Sequence, residues 1–328
     1  MATMHDTVAS LLSPPKGILA ADEHLGKPWQ QVARAGTGPA ATPEERYHEL
    51  LLTTPDLDTY LSGVIVSAGS FSRREFPPAD SLIVAGVRLG TGTDLWPDGS
   101  PAADGDQTDE LRTRLGHLRE SGARFAKWRA DLDPMGKSRP AGYVDTKFLA
   151  QCAASSQEVS LLPVLDVAMP NQRSHSLAVA EAVTANALDS LFVELEARHV
   201  DLRTVLLRMN MVQAGEWHDQ ETTLDEGAQS TAKVMSEHIP PALGGILFMS
   251  TGQDNARACA NLAAVVSAAA SRPDITWPIT YAFGRALVAK FTDTWAGDAA
   301  NVDRAQRALI EDCARASSAV TPVAPTTA

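Results

Sequence analysis

The sequence has few cysteines, few lysines, no excess of positive charge and no long apolar run. Its three cysteines, Cys152, Cys259 and Cys313, stand far apart and form no CxxC pair. That spacing supports neither a disulfide framework nor a thiolate zinc site, and it fits a reducing compartment. No uninterrupted apolar stretch reaches membrane-spanning length. The N-terminal MATMHDTVASLLSPPKG lacks the basic end and long apolar core of a secretory leader. A cytoplasmic protein without a membrane partner is therefore expected. The 40 acidic residues outnumber the 28 basic ones, for a net charge of -12, so a nucleic-acid surface is not expected. Net charge says little about a cleft, and a local basic pocket for an anionic metabolite stays open. Only 7 of the 28 basic residues are lysine. Together with the abundance of alanine, this fits GC-rich coding, which favours arginine on surfaces.

What is present is an alternation of short apolar runs with longer helical patterns. The runs are GILAA (17–21), GVIVS (63–67), SLIVAGVR (81–88), RFAKW (124–128), LLPVLD (161–166), TVLLR (204–208), GGILFMS (244–250) and WPITYAF (277–283). Most are continuous rather than alternating, as in strands buried on both faces. Helical patterns precede the last five. Eight strands with helical crossovers in 328 residues predict a single α/β domain, a (β/α)8 TIM barrel. An open doubly wound sheet is the other candidate, but GVRLGTG offers no third glycine ahead of a helix. Residues 90–110, rich in Gly, Pro and Asp, read as a surface excursion. The residues from about 317 read as a mobile tail. Trp96, Trp128 and Trp277 are expected to be packing residues.

Barrel enzymes place their chemistry at the C-terminal strand ends. Here those ends carry Asp22, Glu23, Ser67, Arg88, Lys127, Arg129, Asp166, Arg208, Ser250 and Arg285. A barrel end has no structural need for so many charges, because an unpaired buried charge costs several kcal/mol. An internal salt-bridge network is one reading; a pocket for an anionic, phosphorylated small molecule is the other. FMSTGQ (248–253) aims a hydroxyl and backbone N–H groups at one spot. FGRAL (283–287) adds a glycine, Gly284, and the donor fork of Arg285. These fall on the seventh and eighth strands, where barrels often hold phosphate. No His and carboxylate cluster has metal-ligand spacing, so neither metal nor cofactor is expected.

These residues resemble class I fructose-1,6-bisphosphate aldolases of the animal and plant type. KGILAADEHLGK is similar to that family's first strand, GARFAKWRADL to its GA-FAKWR segment, and LLPVLDVAMP to P-VEPEI. LLRMNMV resembles LLKPNMV, GGILFMSTGQD resembles GI-FLSGGQS, and FGRAL resembles YGRALQ. The matches run in order over nearly the whole chain. The resemblance implies a barrel that handles a phosphorylated keto sugar or triose phosphate, with a homo-oligomer as the candidate assembly. It implies that Asp22 orients hydroxyls and the amine, that Lys127 and Arg129 line the pocket, and that Ser250, the Thr251 and Gly252 backbone, Gly284 and Arg285 bind phosphate.

The departures fall in the site. The family's Schiff-base lysine position is Arg208, and a guanidinium stays protonated and is a very poor nucleophile. The two glutamates of P-VEPEI become Asp166 and Ala168. The third-strand lysine becomes Arg88, and the serines after ADE become His24 and Lys27. The tail carries no tyrosine. Three readings follow. Lys127 could be a relocated Schiff-base amine, freed by burial and by the cations Arg208 and Arg129, with Asp166 and Asp22 moving protons. This reading describes an aldolase-like lyase, or an aldehyde/ketone-residue transferase, of specialised metabolism rather than an ordinary fructose-bisphosphate aldolase. Alternatively, Arg208 could clamp an enolate or second anionic group in a Schiff-base-independent isomerase, dehydratase or retro-aldol enzyme. The third reading is a non-catalytic sugar-phosphate-binding homologue. The replacements at Arg88 and Lys27 suggest a remodelled aldehyde half and a changed acceptor; Glu23, His24 and Arg129 are further candidate substrate-binding residues.

Overall fold

The computed structural model describes residues 2–22, 43–73, 81–89, 105–132, 134 and 145–321. Eight parallel strands close into a barrel in sequence order. They are β1 (Gly17–Ala20), β2 (Leu61–Ser67), β3 (Val84–Arg88), β4 (Phe125–Asp131), β5 (Leu162–Ala168), β6 (Leu206–Asn210), β7 (Gly245–Met249) and β8 (Ile279–Phe283). Every expected strand is present within a few residues of its predicted bounds; β3 begins only at Val84, while β4 continues to Asp131.

The helices are α1 (Met4–Leu11), α2 (Pro43–Leu52), α3 (Ala68–Arg73), α4 (Gly105–Glu120), α5 (Thr146–Glu158), α6 (Leu177–Ala197), α7 (Leu224–His238), α8 (Asn255–Ala270), α9 (Arg285–Trp295) and α10 (Val302–Ala319). Side-chain caps start the regular crossovers. Asp145 accepts from the Phe148 amide, Asp254 accepts from the Arg257 amide, and Thr223 and Glu226 form a reciprocal capping box. In contrast, α9 follows Gly284 with no side-chain cap for its first amides.

Two expectations need correction. The excursion at 90–110 ends earlier than its composition suggests, because residues 105–110 already belong to α4; residues 90–104, with Trp96, lie outside the described residues. The tail does not begin at about 317. Helix α10 runs to Ala319, Ser317 is buried, and its hydroxyl lies 3.2 Å from the Tyr281 hydroxyl. A buried hydroxyl with a partner fixes this turn where composition alone reads as loose. Residues 322–328 lie outside the described residues.

The barrel interior is stratified. Its lower part is apolar: Ile18, Ile65, Phe125, Leu162, Val164, Leu206, Leu247 and Ala282 form one buried cluster with Leu11 and Leu12 from the end of α1. Each Val, Leu, Ile or Phe of this cluster contributes roughly 1.5–3 kcal/mol by leaving water. The α1 segment therefore plugs the barrel bottom. A Cβ at Gly63 would lie 2.6 Å from a Leu11 methyl and one at Gly245 2.4 Å from a Leu12 methyl, so the plug packs directly onto these two glycines. Ser62 Oγ donates to the Leu11 carbonyl at 2.6 Å and anchors the plug. Outward-facing residues, among them Trp128, Leu165, Leu207, Phe248 and Phe283, bury against the helices in a second cluster.

Candidate active site

Alternation along the strands carries the interior from apolar to charged. Residues two apart share a face. On β4 the inward face therefore reads Phe125, Lys127, Arg129; on β5, Leu162, Val164, Asp166; on β6, Leu206, Arg208, Asn210. The apolar members sit in the lower cluster and the charged members come next toward the C-terminal ends. Strand register aligns the charges laterally, with Arg88 opposite Lys127, Arg129 opposite Asp166, and Asp166 opposite Arg208.

The result is a chain of alternating charge across the barrel. Arg88 Nε lies 3.3 Å from Asp22 Oδ2. Lys127 Nζ donates to the same Asp22 oxygen at 2.9 Å and stands 3.5 Å from Asp166 Oδ2. Arg208 Nη1 donates to Asp166 Oδ2 at 2.6 Å. The Arg208 fork continues across the barrel: Nε and Nη2 donate to the Ala282 carbonyl on β8 at 3.2 and 3.0 Å. Lys127, Asp166 and Arg208 are each no more than 1% exposed. Charges buried this deeply are tolerable because each meets its opposite. Burial alone would push the Asp166 carboxyl up, but Arg208, then Lys127 and Arg129, outweigh it and hold it below the usual carboxylate range. Two acceptors stay unused: Asp22 Oδ1 and Asp166 Oδ1 are buried without a hydrogen-bond partner among the described residues.

Lys127 meets the two carboxylates expected beside it, Asp22 at 2.9 Å and Asp166 at 3.5 Å. Arg129 turns toward the rim, where its Nε donates to Asp131 at 2.7 Å. Arg208 is not presented to the mouth as an open cation; it is committed to Asp166 and the β8 backbone. Ser67 also leaves the site, since its Oγ accepts from the Ser70 amide at 3.0 Å and opens α3. Glu23, His24 and Lys27 lie outside the described residues.

Beyond the charged chain, β7 and β8 build a second region. Ser250 is buried, and after it Thr251 and Gly252 take successive positive φ values of 51° and 81°. For an L-residue such as Thr251 this conformation costs roughly 1–2 kcal/mol. Arg285 opens α9 and lies over Gly252, with Nη2 3.0 Å from where a Cβ would stand. Among the described residues the Thr251 and Gly252 amides donate to no other protein group. Free amides, an uncapped helix start and a guanidinium together can receive an anion.

Asn210, two residues beyond Arg208, joins the regions. Its Oδ1 accepts from the Met169 amide at 2.7 Å, and its Nδ2 donates to the Met169 carbonyl and to Thr251 Oγ1, both at 3.0 Å. The parity of Asn210 with Arg208 on β6 is the signal that places it in the site. His48 was missed altogether: it is buried, its Nε2 is 3.3 Å from the Ala21 carbonyl, and it braces the backbone just before Asp22. A lone histidine on a helix gives no advance sign of that contact. Among the described residues no group of three or more His, Cys, Asp or Glu is placed to hold a metal ion, and no helix is long and apolar enough to cross a membrane.

The chain matches the family model for fructose-bisphosphate aldolase class-I over residues 3–323. It is 31% identical over 321 residues to the probable fructose-bisphosphate aldolase class 1 of Xylella fastidiosa, covering 93% of each chain. It is 31% identical over 319 residues to fructose-bisphosphate aldolase 2 of Caenorhabditis elegans, covering 94% of this chain and 86% of that one. The cytoplasmic isozyme of Cicer arietinum is 32% identical over 309 residues, with 91% and 85% covered. Among solved structures, fructose-bisphosphate aldolase from Plasmodium falciparum superposes with a TM-score of 0.81 at 27% identity, over 97% of this chain and 93% of that one.

Proposed function

The chain belongs to the class-I fructose-bisphosphate aldolase family, and on that premise we propose that it forms or cleaves a C–C bond in a phosphorylated keto sugar or triose phosphate through an amine on Lys127. The observation that carries this reading is the charged chain at the barrel centre. Lys127 is its one primary amine among the described residues, and Asp22 and Asp166 flank it. The family's own amine position is Arg208, whose guanidinium cannot form an imine under these conditions. An ordinary fructose-bisphosphate aldolase cycle through that position is therefore not proposed.

In the cleavage direction, Asp22 takes a proton from Lys127 and the free amine attacks the substrate ketone carbon. A C–N bond forms, the carbonyl oxygen takes one proton from the nitrogen and one back from Asp22 and leaves as water, and the iminium cation remains. A carboxylate then removes the proton from the hydroxyl beyond the scissile bond. That C–C bond breaks with its electron pair drawn into the iminium, giving an enamine on Lys127 and a free aldehyde. Reprotonation of the enamine and addition of water return the ketone product and the amine. The Oδ1 atoms of Asp22 and Asp166, which accept from no group among the described residues, are available as acceptors for these transfers. Ser250, the Thr251 and Gly252 amides, Gly284 and Arg285 hold the phosphate of the ketone half. Arg88 and Arg129, with Glu23, His24 and Lys27, are assigned to the other half.

Arg208 serves this scheme as a brace. Its contacts to Asp166 and to the Ala282 carbonyl fix the carboxylate beside Lys127, and this use of the fork disfavours a direct clamp on substrate. A second reading, a sugar-phosphate-binding protein, draws on one observation: Lys127 is ion-paired at 2.9 Å. Borohydride trapping with dihydroxyacetone phosphate, followed by intact mass and peptide mapping, separates the two. An adduct on Lys127 is expected. Saturable binding of the same triose without an adduct would favour the binding protein. The family premise and the cytoplasmic name of one relative also support a cytoplasmic homo-oligomer; light scattering of the purified chain checks the assembly.

A further inference from the structure

We propose that the Thr251 side chain is a positioning group for the phosphate cradle: through Asn210 it ties the β7 turn to the ends of β5 and β6 and so holds the Thr251 and Gly252 amides ready for a phosphate group. The inference rests on the phosphorylated-substrate reading above and deepens it.

The backbone shows the need for such a tie. Thr251 sits at φ 51°, and a β-branched residue is among the least suited to that region. Such a conformation persists only where its surroundings hold it. The restraint here is polar and specific. Asn210 is fixed by two bonds to the Met169 backbone, at 2.7 and 3.0 Å, and its remaining N–H donates to Thr251 Oγ1 at 3.0 Å. One side-chain amide thus links three strand ends. The Gln253 amide donates to the Ser250 carbonyl at 3.0 Å and closes the turn from the other side.

The next residues give the tie its chemical purpose. Gly252 follows at φ 81°, which brings it under the Arg285 guanidinium. The Thr251 and Gly252 amides donate to no protein group among the described residues, and they belong to the turn that Arg285 overlies at Gly252. Two amide donors and a guanidinium fork suit a compact dianion such as a phosphate monoester. The aldolases that this chain resembles carry glycine at the position of Thr251. A glycine enters the left-handed region freely, and it also leaves it freely. A tethered threonine exchanges that freedom for a fixed turn, which lowers the ordering cost of binding.

The test uses the full chain with inorganic phosphate and dihydroxyacetone phosphate as probes, read by calorimetry and thermal melting. Thr251→Val keeps the branched shape and removes the hydroxyl; it should weaken phosphate binding roughly tenfold, as expected for a lost positioning hydrogen bond. Thr251→Gly should lose affinity to a similar degree while melting no lower than the parent, because the left-handed strain disappears. Thr251→Ser restores the hydroxyl and should restore the affinity. With a turnover assay, the valine variant should show its loss in KM more than in kcat. Parent-like phosphate affinity in both the valine and glycine variants would overturn the positioning role. A parent protein that binds neither probe would overturn the phosphate site itself, and the positioning role with it.

Discussion

The two sides of the barrel mouth are built in opposite ways. One side is made of side-chain charge from β3–β6 and the end of β1: Arg88, Asp22, Lys127, Asp166 and Arg208 alternate in sign, mostly buried, each held by its neighbour. The β7–β8 side is made of backbone: two left-handed residues, unused amides, an uncapped helix start and one exposed arginine. A charge network is a coupled system in which one replacement changes every neighbour's electrostatics, so an arginine at position 208 redefines what Lys127 and Asp166 can do. A backbone cradle depends on conformation, so Ser250, Gly252, Gly284 and Arg285 can persist while the chemistry next to them changes. The family resemblance follows the same division, with departures at 88, 166, 168 and 208 and only Thr251 altered in the cradle.

The largest effect should come from removing the amine. Lys127→Met should lower turnover by on the order of 10^4-fold or more, as loss of a nucleophile does. Phosphate affinity should survive, because the cradle is a separate construction. Calorimetry beside a turnover assay checks both halves; joint loss would show that the two sides do not act separately. Next in size is the network's own stability. Asp166→Asn leaves Arg208 and Lys127 facing a neutral group and should destabilise the fold by about 3–5 kcal/mol, read from chemical denaturation.

The same variant has a pH signature. Asp166 is held below the usual carboxylate range in the folded chain. Its stabilising contribution is therefore present above the unfolded value, near ~3.9, and is lost as pH falls through the lower folded value. The asparagine variant should show a flatter loss of stability below about pH 4, measured by melting temperature against pH. An unchanged acid limb would remove Asp166 from the network's electrostatics.

On the cradle side, Arg285→Ala should weaken phosphate binding roughly 10- to 100-fold with little effect on melting, since this side chain is exposed. The smallest effect is expected at the brace. Arg208→Lys keeps the charge beside Asp166 but loses the two-point contact with the Ala282 carbonyl, and should cost about 0.5–1.5 kcal/mol. The borohydride adduct should still map to Lys127. An adduct mapping to position 208 would show that the arginine alone had displaced the amine chemistry.

Much of this was legible in the chain before folding. Continuous apolar runs ending in Arg88, Asp166, Arg208 and Ser250 marked strands with chemistry at their C-terminal ends, and the closed barrel has all eight. The α1 plug was not legible, because Leu11 and Leu12 gain meaning only from Gly63 and Gly245 far along the chain. The extent of α10 was hidden for a similar reason, since Ser317 is held by Tyr281.

Sequence by itself determined the repeating strands and helices, the placement of Lys127, Asp166 and Arg208 toward the C-terminal strand ends, and the absence of an amine at position 208. Local periodicity and residue chemistry suffice for each of these. Only the tertiary structure decided which opposite charge each one meets. Asp22 lies 105 positions from Lys127, and Ala282 lies 74 from Arg208. Barrel closure brings them within hydrogen-bond reach, and Coulomb energy in a buried site depends on that separation rather than on order along the chain.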